Sequence, residues 1–126
     1  MSTVSLRYFT VYGPRMRPNM AITNFTSRCL NGKPPVIYGD GQQTRDFTYI
    51  DDIIEANLSL LKTDADVGLE YADAKEADAR HTHADVSKAR ELIDYEPSRD
   101  IREGVSQFVD WYRKNRDWYE PLVLYS

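Results

Sequence analysis

Val4-Ser5-Leu6-Arg7-Tyr8-Phe9-Thr10-Val11-Tyr12-Gly13-Pro14-Arg15 is the stretch on which the fold class turns. Val4 to Val11 is dense in β-branched and aromatic residues and runs into Gly13-Pro14, the pattern of a buried strand that empties into a loop. Beyond it, Met20, Ile22, Phe25, Cys29 and Leu30 recur at helical spacing with Gly32 just past them, which predicts a helix over 19–30 with a glycine stop. Val36-Ile37-Tyr38 reads as a short strand. Gly39-Asp40-Gly41 then leads to a second strand over 45–49, so a hairpin with a long loop is expected.

Further along, Asp51 or Asp52 is placed to cap a helix whose apolar face is Ile53, Ile54, Ala56, Leu58 and Leu61. Residues 63–79 turn acidic and alanine-rich, with a short strand expected at 69–71 and little else to fill a core. Asp85 is the expected cap of a helix over 86–93. Asp100, with Glu103 three residues on, resembles a capping box for a last helix from 101 to about 115, which presents Val105, Phe108, Val109 and Tyr112 at helical spacing.

Length and composition narrow the classes. At 126 residues the chain is long enough for one small domain and too short for a complete dinucleotide enzyme with a separate substrate domain. Hydrophobic residues at 41% allow a modest core. A net charge of -4 gives no basic footprint, which argues against nucleic acid as a partner and means that an anion would have to be met by local arginines. Cys29 is the only cysteine, which rules out an internal disulfide or a cysteine-based metal site. No run of 18 apolar residues occurs, so no membrane partner is expected and the expected location is the cytoplasm.

Three blocks together resemble the UDP-sugar epimerases and related nucleotide-sugar dehydratases of the extended short-chain dehydrogenase/reductase family. The first is Leu6 to Arg15, similar to the family's Arg-Tyr-Phe-Asn-Val-Tyr-Gly-Pro-Arg strand and loop. The second runs from Gly32-Lys33-Pro34-Pro35-Val36-Ile37-Tyr38-Gly39-Asp40-Gly41 through Thr44-Arg45-Asp46-Phe47-Thr48-Tyr49-Ile50-Asp51-Asp52. The third is His81-Thr82-His83-Ala84-Asp85-Val86-Ser87-Lys88-Ala89 followed by Leu92-Ile93-Asp94-Tyr95-Glu96-Pro97. Their order and separation match over nearly the whole chain. The resemblance implies an incomplete α/β architecture, the C-terminal substrate-binding lobe of an extended Rossmann-type epimerase fold, as a single partial domain over 1–126.

It also implies roles. Arg45 falls where the family sets an arginine against the diphosphate and ribose of the sugar nucleotide, a task for a guanidinium fork. Val36, Ile37 and Tyr38 fall where a segment lies along the uracil. Thr10 stands where many relatives have an asparagine on the phosphates; its hydroxyl donates one hydrogen bond but does not copy the amide. Lys75 and Asp78 fall where relatives carry an arginine on the diphosphate and an aspartate on the ribose. The expected partners are a UDP-sugar and either a second copy of the chain or a separate Rossmann-domain chain.

The family's chemistry needs a glycine-rich loop for NAD and a tyrosine with a lysine four residues on. Glycines stand at 13, 32, 39, 41, 68 and 104, and no three fit G-x-G-x-x-G. NAD is thus expected in full-length relatives and not on this chain alone, with no catalytic residue assigned. Tyr71-Ala72-Asp73-Ala74-Lys75 has the Tyr-x-x-x-Lys spacing but lies downstream of the substrate blocks and is read as accidental. A packing element of about 30 residues is expected to be missing near 63–70, since relatives usually carry a further strand and helix there.

Plainer readings stand beside these. Arg7 and Tyr8 suit a structural strand. By residue chemistry alone Arg45 serves equally well as a surface partner of Asp46 or Asp51. His81 and His83 lack the supporting ligands of a metal site, and Trp111, Tyr112, Trp118 and Tyr119, seven apart, read as helix packing. Two functions from different classes follow: the nucleotide-sugar-binding portion of an epimerase or dehydratase, inactive alone, or a non-catalytic interaction module that pairs with a separate Rossmann chain. A relic without function is a third.

Overall fold

The computed structural model describes residues 6–62 and 83–124. The opening strand is shorter than its apolar run predicts: β1 spans Thr10–Tyr12, and residues 6–9 are irregular. It pairs in parallel with β2, Phe47–Tyr49, in the register Thr10↔Phe47, Val11↔Thr48 and Tyr12↔Tyr49. A parallel pair needs a crossover in place of a tight turn. That crossover holds α1, Ala21–Leu30, close to the expected helix.

The expected hairpin between 36–38 and 45–49 does not form. Val36, Ile37 and Tyr38 lie outside any strand. Gly39 and Gly41 both take positive φ, at 75° and 72°, and Asp40 Oδ1 accepts the Gln42 N–H at 3.1 Å, so the chain turns twice and does not fold back in register. β2 finds its ladder partner in β1 instead.

α2, Ile50–Lys62, follows β2 without a loop, and its early acids lie in the first turn as expected. The helix begins before either acid, however, so neither is its cap. Asp52 is buried, and its carboxylate reaches across the fold to accept hydrogen bonds from Ser98 N–H at 3.1 Å, Ser98 Oγ at 3.0 Å and Arg99 N–H at 3.3 Å. α3, Ser87–Ile93, starts one residue later than predicted, with Asp85 Oδ1 accepting from Ser87 N–H at 3.0 Å. It stops at Asp94 in the left-handed region (φ 52°).

α4, Ile101–Lys114, is capped by Asp100, which accepts the Arg102 N–H at 2.7 Å. The other arm of the expected capping box is diverted: Glu103 accepts from Arg99 Nη1 at 2.7 Å. A further helix, α5 over Arg116–Leu124, was not expected. Asn115 makes the break, since its side-chain amide donates to the Trp111 carbonyl at 2.8 Å and accepts from Trp118 Nε1 at 3.1 Å. The aromatic pairs at 111–112 and 118–119 do pack, but across two helices.

The core has two parts. Phe108, Tyr112, Tyr119 and Val123 form a cluster against which Met16, Ile22, Leu30 and Trp111 pack, joining α4 and α5 to α1. The Tyr119 hydroxyl donates to the Met16 carbonyl at 2.5 Å and lies 3.3 Å from Thr23 Oγ1. The second part centres on Tyr12, 1% exposed, edge-on to Tyr49 at 5.3 Å between ring centroids. Tyr12 passes over Gly104, where a Cβ would stand 1.9 Å from the phenol oxygen. Only glycine lets α4 approach this closely. Among the described residues no helix is long and apolar enough to cross a membrane.

Two outcomes follow from the Tyr12 contact. Gly104→Ala forces the ring or the helix to move and is expected to lower stability by about 1–3 kcal/mol, read as a shifted urea midpoint with unchanged slope; an unchanged midpoint would contradict the contact. Burial first, then the charges of Tyr49, Asp100 and Asp52, pushes the Tyr12 phenol up to about 12. The folded chain therefore holds this proton to higher pH than the unfolded chain. Its contribution is intact below about pH 10 and is lost between about 10 and 12, so stability should fall across that window and less steeply in Tyr12→Phe.

Candidate functional site

The sheet sets Thr10 beside Asp46, the residue that follows Arg45. The Thr10 N–H donates to the Asp46 carbonyl at 3.4 Å, which sets the start of β1 beside the residues leading into β2. Arg45 is exposed, and its Nη1 donates to the Thr44 carbonyl at 2.9 Å. Asp51 pairs with Arg99 at 3.5 Å, and Asp46 Oδ2 accepts the Ala84 N–H at 2.6 Å and stands 3.8 Å from His83 Nδ1.

Val36, Ile37 and Tyr38 are 39%, 67% and 82% exposed. Their segment is fixed at its start by Arg28 Nε, which donates to the Pro34 carbonyl at 2.7 Å, and it folds back on the Gly41 side, where a Cβ would lie 3.4 Å from Ile37 Cγ2. Among the described residues no hydrogen bond or ring contact joins Tyr38 to Thr10. Lys75 and Asp78, the strand expected at 69–71, the expected shortening near 63–70 and His81 lie outside the described residues.

Residue order gave no sign of a second feature. An open cleft of about 530 Å³ lies between β2 with the start of α2 and the chain from His83 to Arg99. Asp46, Asp52, His83, Asp85, Arg90 and Arg99 are among its walls, whereas Thr10, Val36, Ile37, Tyr38 and Arg45 are not. Its charges are engaged structurally. The Ser87 hydroxyl and N–H hold the Asp85 carboxyl below the usual carboxylate range, Glu103 raises the Arg99 guanidinium, and Arg90 pairs with Glu96 at 3.3 Å. Burial, with Asp52 next, pushes the Tyr95 phenol up. Among the described residues no three His, Cys, Asp or Glu side chains group as metal ligands. The signal that would have located this cleft is the pairing of Asp46 and Asp52 with residues 38 to 47 positions away, which the periodicity of one segment does not carry.

The helix starts do not suit a dinucleotide pyrophosphate, which needs bare N–H groups flanked by glycine. α2 carries Asp51 and Asp52 in its first turn, α4 Glu103 and α5 Asp117, and α1 is preceded by Met20. Among the described residues these four helix starts therefore offer no glycine-flanked cradle for a pyrophosphate.

Comparison with known proteins places this architecture. The model of the NAD dependent epimerase/dehydratase family matches residues 1–71. A UDP-glucuronate 4-epimerase of Thermodesulfobacterium geofontis is 37% identical over 147 residues, covering 94% of this chain and 46% of the relative. The crystal structure of UDP-glucuronic acid 4-epimerase from Bacillus cereus in complex with UDP-glucuronic acid and NAD superposes with a TM-score of 0.75 at 34% identity, over 86% of this chain and 44% of that one. A UDP-glucose 4-epimerase from Thermotoga maritima, solved with UDP-glucose, gives 0.72 at 28% identity, over 87% and 45%. The chain spans less than half the length of these relatives and corresponds to the C-terminal part of the solved ones, which is the fold class expected from the sequence.

The Asp46–Ala84 bond is what ties the segment before α3 to the sheet. Asp46→Ala should speed amide hydrogen exchange at Ala84 by about tenfold or more, for a lost bond of about 1.5 kcal/mol, and leave α4 amides unchanged; equal rates in both proteins would show that the bond does not hold this segment.

Proposed function

The chain belongs to the NAD dependent epimerase/dehydratase family, and we propose that it supplies the nucleotide-sugar side of that fold, binding and orienting a UDP-sugar without performing the oxidoreduction by itself. The observation that carries this is the Thr10–Asp46 bond, which sets Thr10 next to an exposed Arg45 at the end of a parallel strand pair.

In this reading Arg45 meets the diphosphate with its planar fork, and Thr10 adds one hydroxyl hydrogen bond. Val36, Ile37 and Tyr38 lie along the uracil, with backbone groups toward the base edge and the exposed Tyr38 ring available for stacking. Lys75 and Asp78 extend the set toward the second phosphate and the ribose. A chain of net charge -4 needs such local cations to hold a dianion. The related proteins named above act on or were solved with UDP-glucuronic acid or UDP-glucose, so these are the ligands to test. The Thermodesulfobacterium match runs over 147 residues, more than the 126 of this chain, so that relative carries residues with no counterpart here. That supports a shortening, which we assign to the region near 63–70.

Calorimetric titration tests the reading. UDP-glucuronic acid or UDP-glucose should give saturable heat and NAD none. Arg45→Ala should weaken binding roughly 10- to 100-fold, the loss of a hydrogen bond to a charged group of about 1.5–3 kcal/mol. No heat with any UDP ligand, or equal affinity in the variant, would overturn it.

A further inference from the structure

Asp46 joins three stretches of chain. It leads directly into β2, and its carbonyl accepts the Thr10 N–H at 3.4 Å, which ties it to β1. Its Oδ2 accepts the Ala84 N–H at 2.6 Å from 38 residues further on, with the side chain 30% exposed. The main chain thus holds one partner and the side chain another. Arg45, the residue before it, is exposed and turns its Nη1 back onto the Thr44 carbonyl at 2.9 Å. The guanidinium therefore follows the backbone of 44–46, and that backbone is pinned at Asp46.

We propose that Asp46 is a positioning residue for sugar-nucleotide binding, whose carboxylate, through the Ala84 N–H, fixes the backbone from which Arg45 presents its guanidinium. This rests on the preceding reading, because it concerns the pose of the group assigned there to the diphosphate. Three features support it. A planar fork that meets phosphate with two parallel bonds has to be held to within about 0.5 Å and 10–20°, which a side chain on an unsupported loop does not achieve. The Asp46–Ala84 bond is short and its acceptor is mostly withdrawn from water, so losing it leaves two polar groups without their partners. The other acids along the same cleft are engaged elsewhere, Asp52 with Ser98 and Arg99 and Asp85 with Ser87. Asp46 is thus the acid that links residue 84 to the sheet.

The test is a set of calorimetric titrations with UDP-glucose, with urea midpoints measured on the same proteins. Asp46→Ala should weaken binding about tenfold, the order lost with one hydrogen bond. Asp46→Asn keeps an acceptor oxygen for the Ala84 N–H and should recover affinity to within about threefold of the parent. Ala84→Pro removes the donor of the same bond without touching residues 44–46, and should reproduce the Asp46→Ala loss even if that variant fails to fold. Because Asp46 acts through Arg45, adding Asp46→Ala to Arg45→Ala should cost less than about twofold more. Asn31→Ala, which breaks the bond to Glu120 between α1 and α5, should lower the urea midpoint and leave affinity unchanged. Additive losses in the double variant, or no rescue by Asp46→Asn, would reduce Asp46 to a scaffold residue and overturn the proposal. Heat that Arg45→Ala weakens and both Asp46→Ala and Ala84→Pro leave intact sinks this inference alone, whereas no heat for the parent chain sinks the preceding reading and this one with it.

Discussion

The Asp52 carboxylate is the constraint on which the remaining geometry rests. It leaves the first turn of α2, is 2% exposed, and accepts three hydrogen bonds from Ser98 and Arg99. A buried polar group in such a place persists because donors meet its oxygens. The effect is to fix α2, and with it β2, against the residues that lead into α4. Arg99 extends the junction, with its guanidinium over the Tyr49 ring at 5.4 Å and paired to Asp51 and Glu103.

From that junction the rest of the packing can be traced. Once the start of α4 is set, Gly104 faces Tyr12, and the missing Cβ lets the ring close the gap between helix and sheet. Tyr12 pins β1, whose parallel register with β2 sets Thr10 beside the Asp46 carbonyl. At the far side the Arg116–Glu120–Asn31 network ties α5 to the end of α1, with Arg116 Nη2 donating to Asn31 Oδ1 at 2.8 Å and Asn31 Nδ2 to Glu120 Oε1 at 2.6 Å. The Asp52 junction and the Arg116–Glu120–Asn31 network thus brace the elements around the segments that carry Thr10 and Arg45. A binding surface needs this kind of support from groups outside it.

What was legible in the sequence was mostly local. Helical periodicity located α1, α2, α3 and α4 to within a residue or two, and Asp100 was read correctly as the cap of α4, because those signals sit in neighbouring residues. The hairpin failed because strand pairing is a choice between partners: Phe47–Tyr49 had Val36–Tyr38 nearby in sequence but Thr10–Tyr12 in space. Asp52 was read as a cap for the same reason, since its donors lie 46 and 47 residues away. The division at Asn115 was hidden because an asparagine in a helical pattern carries no strong stop signal, and its effect comes from a side-chain bond to Trp111. Of the site, the adjacency of Thr10 and Arg45 was implied only through the family resemblance, and no residue pattern alone would have given it.

The family fold and the chain's length pull in different directions. The chain keeps the exposed Val36–Tyr38 segment and Arg45, while α2, α4 and α5 carry acids in their first turns. In the proposed reading these residues orient a sugar nucleotide. The most direct measurement is an amide NMR titration of the chain with UDP-glucuronic acid, which reports where the ligand sits as well as whether it binds. The account predicts shift changes grouped at Thr10, at residues 36–38 and at Arg45. Changes grouped instead at His83–Ser87 and Tyr95 in the cleft, or none at saturating ligand, would contradict it.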